Sequence, residues 1–293
     1  MKVSEYGPFG YSPIVDRPRL QWPNGARVAI WIIPNLEFFP LTHGLAGHPF
    51  EQKGKAPTVR PWAQRDYGNR VGVWRLMDVL DRLGIRASAT INSDVCDHHP
   101  QIVEAGVKLG WEFLGHNKTN TQRLTELEPA QEQELIRACT RRIAEAAGRR
   151  PVGWLGSALA ETWNTLDFLI DEGYSYVADW TNDDQPYVMN VGGREIFSIP
   201  YSYEVNDSPF LYYRNGSIDD FEKLIHRQFD VLYDEGAQSG RVMAICLHPF
   251  IIGVPHRIRG LESALRYLRS HEQVWFATGS EIIDHFRASG VRF

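Results

Sequence analysis

The chain has 293 residues, of which 43% are hydrophobic and 23% are charged, and these values are typical of one large globular domain or two small ones. Its 31 basic and 36 acidic residues give a formal net charge of -5, which argues against binding to nucleic acid or to an anionic membrane. Glycine and proline are near average in number and are not clustered, which excludes collagen-like and disordered classes.

The cysteines and the hydropathy pattern bear on location. Cys96, Cys139 and Cys246 form no metal-type CxxC pair and leave at least one thiol unpaired, which favours a reducing compartment. The N-terminus lacks the apolar segment of a signal peptide, and no apolar run is long enough to cross a membrane. We therefore expect a cytoplasmic protein.

Short apolar segments alternate with longer amphipathic segments along the chain, which is typical of α/β folds with parallel strands. Strands are predicted at residues 27–34, 85–91, 111–116, 174–179, 195–200, 241–247 and 273–277. Helices are predicted at residues 71–83, 100–109, 129–147, 162–172, 218–235, 261–270 and 281–288. About seven βα units without a linker predict a single domain over residues 1–293, folded as a closed or nearly closed barrel, with an open doubly wound sheet as the alternative.

Two long segments, rich in proline and aromatic residues, flank the first predicted strand. They are residues 1–23, an N-terminal extension, and residues 40–61. Such segments often pack on a neighbouring subunit or cover a pocket, so we expect a homo-oligomer. No Gly-x-Gly-x-x-Gly motif follows the first strand and no Walker-type loop is present, so no nucleotide cofactor is expected.

In a barrel of this kind the active site lies at the C-terminal ends of the strands. The polar residues that follow predicted strands are Asn35, Glu37, His116, Asn120, Asp183, Asp184 and His248. A carboxylate and two histidines on one rim are suited to proton transfer during hydrolysis. Each residue alone could equally belong to a solvated loop or cap a helix.

His248 is the strongest single candidate, because it directly follows the apolar run 242–247 and precedes a loop shaped by Pro249 and Pro255. It could act as a general acid or base, or it could be hydrogen-bonded beneath the loop. His116 and Asn120 have the i, i+4 spacing that places two side chains on one face of a helix. An asparagine in place of a second histidine weakens a zinc site and leaves manganese, magnesium or no metal as alternatives, and Asn120 could also be a cap.

The order of the motifs resembles that of the polysaccharide deacetylase family (carbohydrate esterase family 4), and in particular its allantoinase-like branch. The resemblance rests on the segments 35–37, 67–75, 110–116, 150–154, 183–187, 199–207 and 248–257. It implies a distorted (β/α) barrel of about seven strands and a cytosolic hydrolase that acts on C–N bonds other than peptide bonds.

The resemblance also implies roles for individual residues. Asn35 stands where typical deacetylases have the aspartate base, and Glu37 stands at or near the metal-binding aspartate. His116 and Asn120 match the two histidine ligands, and His248 matches the histidine that protonates the leaving nitrogen. Because an asparagine has no accessible pKa, Asn35 cannot act as the base.

Two alternatives follow for the chemistry of this site. In the first, Glu37, His116 and Asn120 bind one divalent metal such as zinc or manganese, which activates water. In the second, no metal is bound, Glu37 activates water and His248 is the acid; we favour a weak or absent metal site.

The remaining candidates are predicted to contact the substrate. They are Asn35, Arg70, Trp154, Asp183, Asp184 and Arg257. An arginine can donate two hydrogen bonds to a carboxylate, and a tryptophan can stack on a planar ring. The alternative roles are a surface ion pair for the arginines, core packing for Trp154 and a solvated turn for the aspartates.

Three functions are therefore compared. The first is hydrolysis of a small cyclic ureide, a cyclic imide or an N-acetyl sugar by Glu37 and His248. The second is metal-dependent N-deacetylation of a sugar or polysaccharide. The third is binding of a small molecule or carbohydrate by a catalytically degenerate member, since Asn35 replaces the usual base.

Overall fold

The first predicted strand pairs with three other strands of the sheet. The computed structural model describes residues 5–42 and 59–293, and within them the strands are β1 (Val28–Leu36), β2 (Ser88–Ile91), β3 (Glu112–Gly115), β4 (Gly153–Trp154), β5 (Tyr176–Val177), β6 (Tyr187–Val191), β7 (Arg194–Ser198), β8 (Arg241–Leu247) and β9 (Val274–Phe276). The sheet order is β6-β7-β5-β4-β3-β2-β1-β8, and β9 pairs with the first half of β1. All pairs are parallel except the β6–β7 hairpin.

The side chains of β1 alternate between two cores, as the pleat of a strand requires. Alternate residues from Val28 to Leu36 lie mainly in the core between the sheet and the outer helices. Those from Ala29 to Ile33 fill the inside of the barrel. Because both faces are buried, the strand is continuously apolar, and Asn35 is the polar residue that continues the inner series.

Helices pack around the sheet, most of them on its outer face and the last one against the inner core. They are α1 (Val59–Tyr67), α2 (Val73–Arg82), α3 (Ser93–His98), α4 (Pro100–Lys108), α5 (Pro129–Ala147), α6 (Thr165–Asp171), α7 (Ile218–Gly236), α8 (Pro249–Ile252), α9 (Pro255–Arg269) and α10 (Gly279–Ala288). A π-helical turn, Gly68–Gly72, joins α1 to α2, and a second, Ser208–Tyr213, precedes α7. Gly72 is required in the first turn, since a Cβ there would lie 2.1 Å from the carbonyl oxygen of Pro249.

The predicted barrel is confirmed, with two strands more than the seven expected from the sequence. The prediction missed β4, which has only two residues and therefore no periodicity, and β6, whose residues alternate between buried and exposed in an edge hairpin. It also missed α1, α3 and α8, and it began α9 six residues too late, at residue 261. The bounds of α5 and β8 agree with the prediction to the residue.

The barrel is distorted because, within residues 5–42 and 59–293, no strand joins β6 to β8. An irregular segment takes that place: the Val242 N–H donates to the Asp184 carbonyl oxygen at 2.8 Å, and the Cys246 N–H donates to the Val205 carbonyl oxygen at 3.0 Å. Asn206 also forms an isolated parallel bridge with Cys246. This bridge brings Asp207 beside the end of β8, next to His248.

The described part of the N-terminal extension packs on its own chain. Leu20 and Trp22 are buried, and the Trp22 indole donates a hydrogen bond to the Arg241 carbonyl oxygen at 2.8 Å. Most of the second predicted lid segment, residues 43–58, lies outside the described residues. The three cysteines are buried and unpaired. No helix in the ranges described above has the length and apolar character needed to span a membrane.

Candidate functional site

Strand alternation delivers three predicted residues to one place inside the barrel. In β8 the inward residues are Val242, Ala244 and Cys246, so His248 is the next inward position. Leu114 of β3 also points inward, and His116 continues that series. Since β1, β3 and β8 are parallel, Glu37, His116 and His248 meet at the same end of the barrel. They line a cavity of about 600 Å³.

Glu37 lies between the two histidines. Its Oε1 is 3.9 Å from the Nε2 atom of His116 and 3.7 Å from the Nε2 atom of His248. The same oxygen accepts a hydrogen bond from the Asn120 side-chain amide at 2.7 Å. The Glu37 side chain is only 9% exposed, so these groups determine its charge state. The arrangement can hold a water molecule or a polar substrate group beside a carboxylate and two imidazoles.

The position of His116 is fixed through its backbone and its ring. Its Nδ1 lies 2.6 Å from the Leu155 carbonyl oxygen, which can only accept, so Nδ1 carries the proton and Nε2 presents a lone pair to the cavity. The Asn92 side-chain amide donates to the His116 carbonyl oxygen. The Oδ1 atom of Asn92 accepts a hydrogen bond from the Phe38 N–H at 2.8 Å. His116 and Asn120 are brought together by a turn with Asn117 at φ 57°, not by the helix that their spacing suggested.

His248 forms a buried pair with Asp207. Its Nδ1 lies 2.7 Å from Asp207 Oδ1, and its backbone N–H donates to Asp207 Oδ2 at 2.8 Å. These two contacts orient the imidazole so that Nε2 faces Glu37. Asp207 lies in one of the motifs of the sequence resemblance, but no spacing linked it to a residue 41 positions later. The pair forms because the Asn206–Cys246 bridge places Asp207 beside His248.

The charges of this group favour an ionised Glu37 and a protonated His248. Burial is the strongest influence on Glu37 and raises its pKa, but nearby positive groups, with His248 foremost and Arg65 also contributing, bring the pKa below its ordinary value. Burial likewise lowers the pKa of His248, but Asp207 and Glu37 together raise it above its ordinary value. The pair therefore has the protonation states of a general base and a general acid.

Asn35 lies under the cavity and is held by the sheet. Its Oδ1 accepts a hydrogen bond from the Thr90 hydroxyl at 2.8 Å, and its Nδ2 donates to the Leu247 carbonyl oxygen at 3.2 Å. The side chain is 2% exposed. Asn35 therefore bridges β1, β2 and β8, and its polar atoms are largely engaged within the protein.

The residues present fit a metal site poorly. Among the residues that the structure describes, no three His, Cys, Asp or Glu side chains are placed to hold a metal ion. The third donor suggested by the sequence, Asn120, turns its NH₂ group toward Glu37, and its buried Oδ1 has no partner. A carboxylate that accepts this N–H, one imidazole and an amide are a weak donor set for zinc or manganese.

The other predicted substrate contacts lie outside the cavity. Trp154 is fully buried and packs edge-on against Tyr174, so it has the core role. The Asp183 carboxylate accepts two hydrogen bonds from Arg17, which anchors the N-terminal extension. The backbone oxygen of the adjacent Asp184 bonds to β8 instead.

Arg70 and Arg257 also lie away from the cavity. The Arg70 side chain is 74% exposed and lies 3.8 Å from the Asp66 carboxylate, an exposed ion pair one helical turn away. Arg257 is half-buried and donates to the Ile251 carbonyl oxygen at 3.2 Å, behind the loop that carries His248. Neither arginine lines this cavity.

One wall of the cavity is a short strained loop. Ala158 and Leu159 line the cavity with left-handed backbone angles, φ 62° and φ 55°. The Asp179 carboxyl group fixes the start of this loop by accepting a hydrogen bond from the Gly156 N–H at 2.8 Å. Burial raises the pKa of Asp179 to about 7, and burial together with Asp179 raises the pKa of the adjacent Glu161. Near neutral pH the Asp179 carboxyl group that holds the loop is therefore close to the midpoint of its titration.

Asp179→Asn is expected to stabilise the protein above neutral pH. The native aspartate contributes stability that is complete below about pH 4 and is lost as the pH rises to about 7, because its pKa is higher in the folded state. The asparagine resembles the protonated form and does not titrate, so between pH 5 and pH 8 the variant should gain about 2 kcal/mol relative to wild type, roughly 5 °C in Tm. Thermal unfolding at both pH values measures this.

The control is Asp284→Asn, at an exposed position on α10. This variant should follow the wild-type Tm at both pH values. An Asp179→Asn protein whose Tm falls in parallel with wild type from pH 5 to pH 8 would contradict the assigned protonation.

Comparisons with known proteins agree with this geometry. Residues 64–177 match the family model described as polysaccharide deacetylase. The crystal structure of PuuE allantoinase is 29% identical with a TM-score of 0.84, covering 94% of this chain and 95% of that one. A probable polysaccharide deacetylase from Pseudomonas aeruginosa PAO1 is 27% identical with a TM-score of 0.84, covering 92% and 94%. The peptidoglycan deacetylase-like protein FGM2 of Gibberella zeae is 25% identical over 259 residues, 75% of this chain and 76% of that protein.

Proposed function

Because the chain carries a polysaccharide deacetylase domain, as its motifs predicted, we propose that it hydrolyses a non-peptide C–N bond in a small substrate. The substrate is a cyclic ureide, a cyclic imide or an N-acetyl sugar. The observation that carries the proposal is the position of Glu37, 3.7 Å from a histidine that is itself paired with a buried aspartate. The base and the oriented acid thus lie side by side at the cavity, where both can reach one scissile bond.

Glu37 is the proposed general base. It is ionised, and its Oε1 and the lone pair of His116 Nε2, 3.9 Å apart, can both accept hydrogen bonds from one water molecule. As the water oxygen attacks the carbonyl carbon, Glu37 takes a proton, and the carbonyl oxygen becomes negatively charged. The Asn120 amide keeps Glu37 in place by donating to the same oxygen.

His248 is the proposed general acid. Its Nε2 proton passes to the nitrogen of the tetrahedral intermediate and the C–N bond breaks. The carbonyl carbon becomes a carboxylic acid, and the nitrogen becomes the amine of a deacetylated sugar, or the amide or urea group of an opened imide or ureide ring. Asp207 stabilises the imidazolium form before transfer and holds the ring in one orientation. The two proposed proton-transfer residues thus come from β1 and β8, neighbouring strands whose order in the sheet fixes their separation.

The size of the cavity supports a small substrate. A volume of about 600 Å³ lies within the range of small-molecule sites. Apolar residues such as Leu155 and Phe250 line it beside the polar groups. A metal-independent reaction agrees with the poor donor set formed by Glu37, His116 and Asn120.

The test is an assay with allantoin, succinimide and N-acetylglucosamine, each also as a carboxylate-bearing analogue. At least one compound should be hydrolysed, and mass spectrometry should detect the gain of one water by allantoin or succinimide, or the release of acetate from N-acetylglucosamine. Activity should survive treatment with a chelator, because the Glu37 carboxylate and the His116 imidazole are too few donors to hold a metal ion tightly. Asn120→His should take up zinc, measured by elemental analysis, since it adds an imidazole beside Glu37 and His116.

Two other outcomes of this assay would indicate one of the alternative functions. Loss of activity on chelation, with recovery on adding zinc or manganese, indicates a metal-dependent deacetylase. Binding of a compound without turnover indicates a degenerate binding protein. Either result overturns the proposed mechanism.

A further inference from the structure

A buried arginine that no motif singled out lies in the wall of the cavity. Arg65 belongs to α1, one turn before the π-helical turn that joins α1 to α2. It is only 8% exposed, and its side chain lines the same cavity as Glu37 and His248. A full positive charge is therefore held inside the site, where it is poorly screened by solvent.

Three aromatic rings and one backbone group fix the Arg65 guanidinium. Its central carbon lies 4.9 Å from the ring centre of Phe39, 5.2 Å from that of Phe250 and 5.7 Å from that of Tyr212. Its Nη1 donates to the Pro61 carbonyl oxygen at 3.2 Å, within the same helix. The rings restrict the motion of the guanidinium and pack around it, so the group is preorganised as a donor of paired hydrogen bonds.

The guanidinium lacks a counter-ion among the residues that the structure describes. No carboxylate there lies within ion-pair distance of Arg65, and its buried Nε has no hydrogen-bond partner. A buried charge without a partner is unfavourable, and so is a buried N–H. The buried Glu112 carboxylate, by contrast, accepts hydrogen bonds from Ser88 and Tyr176. The unpaired atoms of Arg65 therefore point to a missing ligand.

The charge of Arg65 reaches the reacting groups. It acts to lower the pKa of both Glu37 and His248, so it lies close to both. Glu37 is not its partner, because the Glu37 carboxylate accepts from Asn120 and faces the two histidines. A ligand anion bound at Arg65 would thus sit beside the bond attacked by water.

Two other arginines on the cavity wall differ from Arg65. Arg123 and Arg214 are exposed, so water screens their charges and solvates their unused donors. A bound anion is therefore not needed to stabilise the charge of either arginine. They serve as matched controls on the same cavity.

We infer that Arg65 binds a carboxylate of the substrate, so that the substrate of this site is an acidic amide, ureide or imide. The inference rests on the proposed function and narrows its substrate class. A carboxylate accepts two parallel hydrogen bonds from a guanidinium and neutralises it, whereas a neutral carbonyl oxygen supplies one acceptor and no charge. The acidic group selects the substrate, and Glu37 and His248 act on its C–N bond.

The test measures binding in the Glu37→Gln protein, which is not expected to turn over. Two matched ligand pairs are titrated by calorimetry: hydantoin-5-acetate against hydantoin, and N-acetylmuramate against N-acetylglucosamine. In at least one pair the acid should bind 10- to 100-fold more tightly than its neutral parent, the range for a charged, paired hydrogen bond in a buried site. Adding Arg65→Met should abolish that preference, while Arg65→Lys should keep part of it.

The controls separate recognition from folding. Affinity for the neutral compound should be unchanged in Arg65→Met, and the acid preference should persist in Arg123→Met and Arg214→Met. The inference is overturned if neither acid binds more tightly than its parent, or if Arg65→Met keeps the preference. Failure of wild-type hydrolysis would instead overturn the proposed function, and it would leave these binding results standing.

Discussion

Glu37→Gln is expected to reduce kcat at least about 1,000-fold, roughly 4 kcal/mol of activation free energy. Glutamine is nearly isosteric and can still pack between His116 and His248, but it cannot take a proton from water. It also removes the charge that helps to keep His248 protonated. Steady-state kinetics on the substrate identified by the assay measures the effect.

The control for this variant is Glu126→Gln. Glu126 also lines the cavity, but it is exposed and its carboxylate accepts a hydrogen bond from the Arg123 backbone. Its substitution should leave kcat within a factor of about three, since an exposed carboxylate that caps a short helix can be replaced by glutamine. A Glu37→Gln enzyme with more than a tenth of wild-type activity would refute the role of Glu37 as base.

His248→Gln is expected to reduce kcat roughly 100- to 10,000-fold, the range for removal of a general acid. The loss should depend on the leaving group. An amide whose leaving amine is a nitroaniline needs little protonation, so its hydrolysis should be much less affected than that of an alkyl amide. A paired measurement on the two kinds of amide tests this, because a purely structural defect would slow both equally.

The pH profile gives an independent check through Asp207. The wild-type profile should be bell-shaped, with its acidic limb set by Glu37, whose pKa is lowered, and its alkaline limb set by His248, whose pKa is raised. Asp207→Asn removes the strongest influence that raises the pKa of His248, so the alkaline limb should move to lower pH. An unchanged alkaline limb in this variant would show that His248 is not the titrating acid.

The alternation of apolar residues in the strands determined much of the site from the sequence. The inward series of β1, β3 and β8 each end in a polar residue, and parallel strands bring such residues to one end of a barrel. Glu37, His116 and His248 could therefore be predicted as neighbours. The same local patterns predicted the bounds of α5 and β8.

Other parts depended on contacts between segments that are distant in sequence. Asp207 reaches His248 only because an irregular segment replaces a strand beside β8. Arg65 follows no strand and belongs to no recognised pattern, and only the packing of α1 against three rings turns it into a buried cation. Trp154 could stack on a substrate or fill the core, and its burial against Tyr174 decided for the core.

The sequence by itself thus determined the barrel and the residues at its strand ends, because hydrophobic periodicity is a property of consecutive residues. The tertiary structure alone decided which of those residues face the cavity, which partner orients His248 and where an unpaired charge is buried. These three features depend on desolvation and on distances across the barrel. Both are set by the packing of many segments at once.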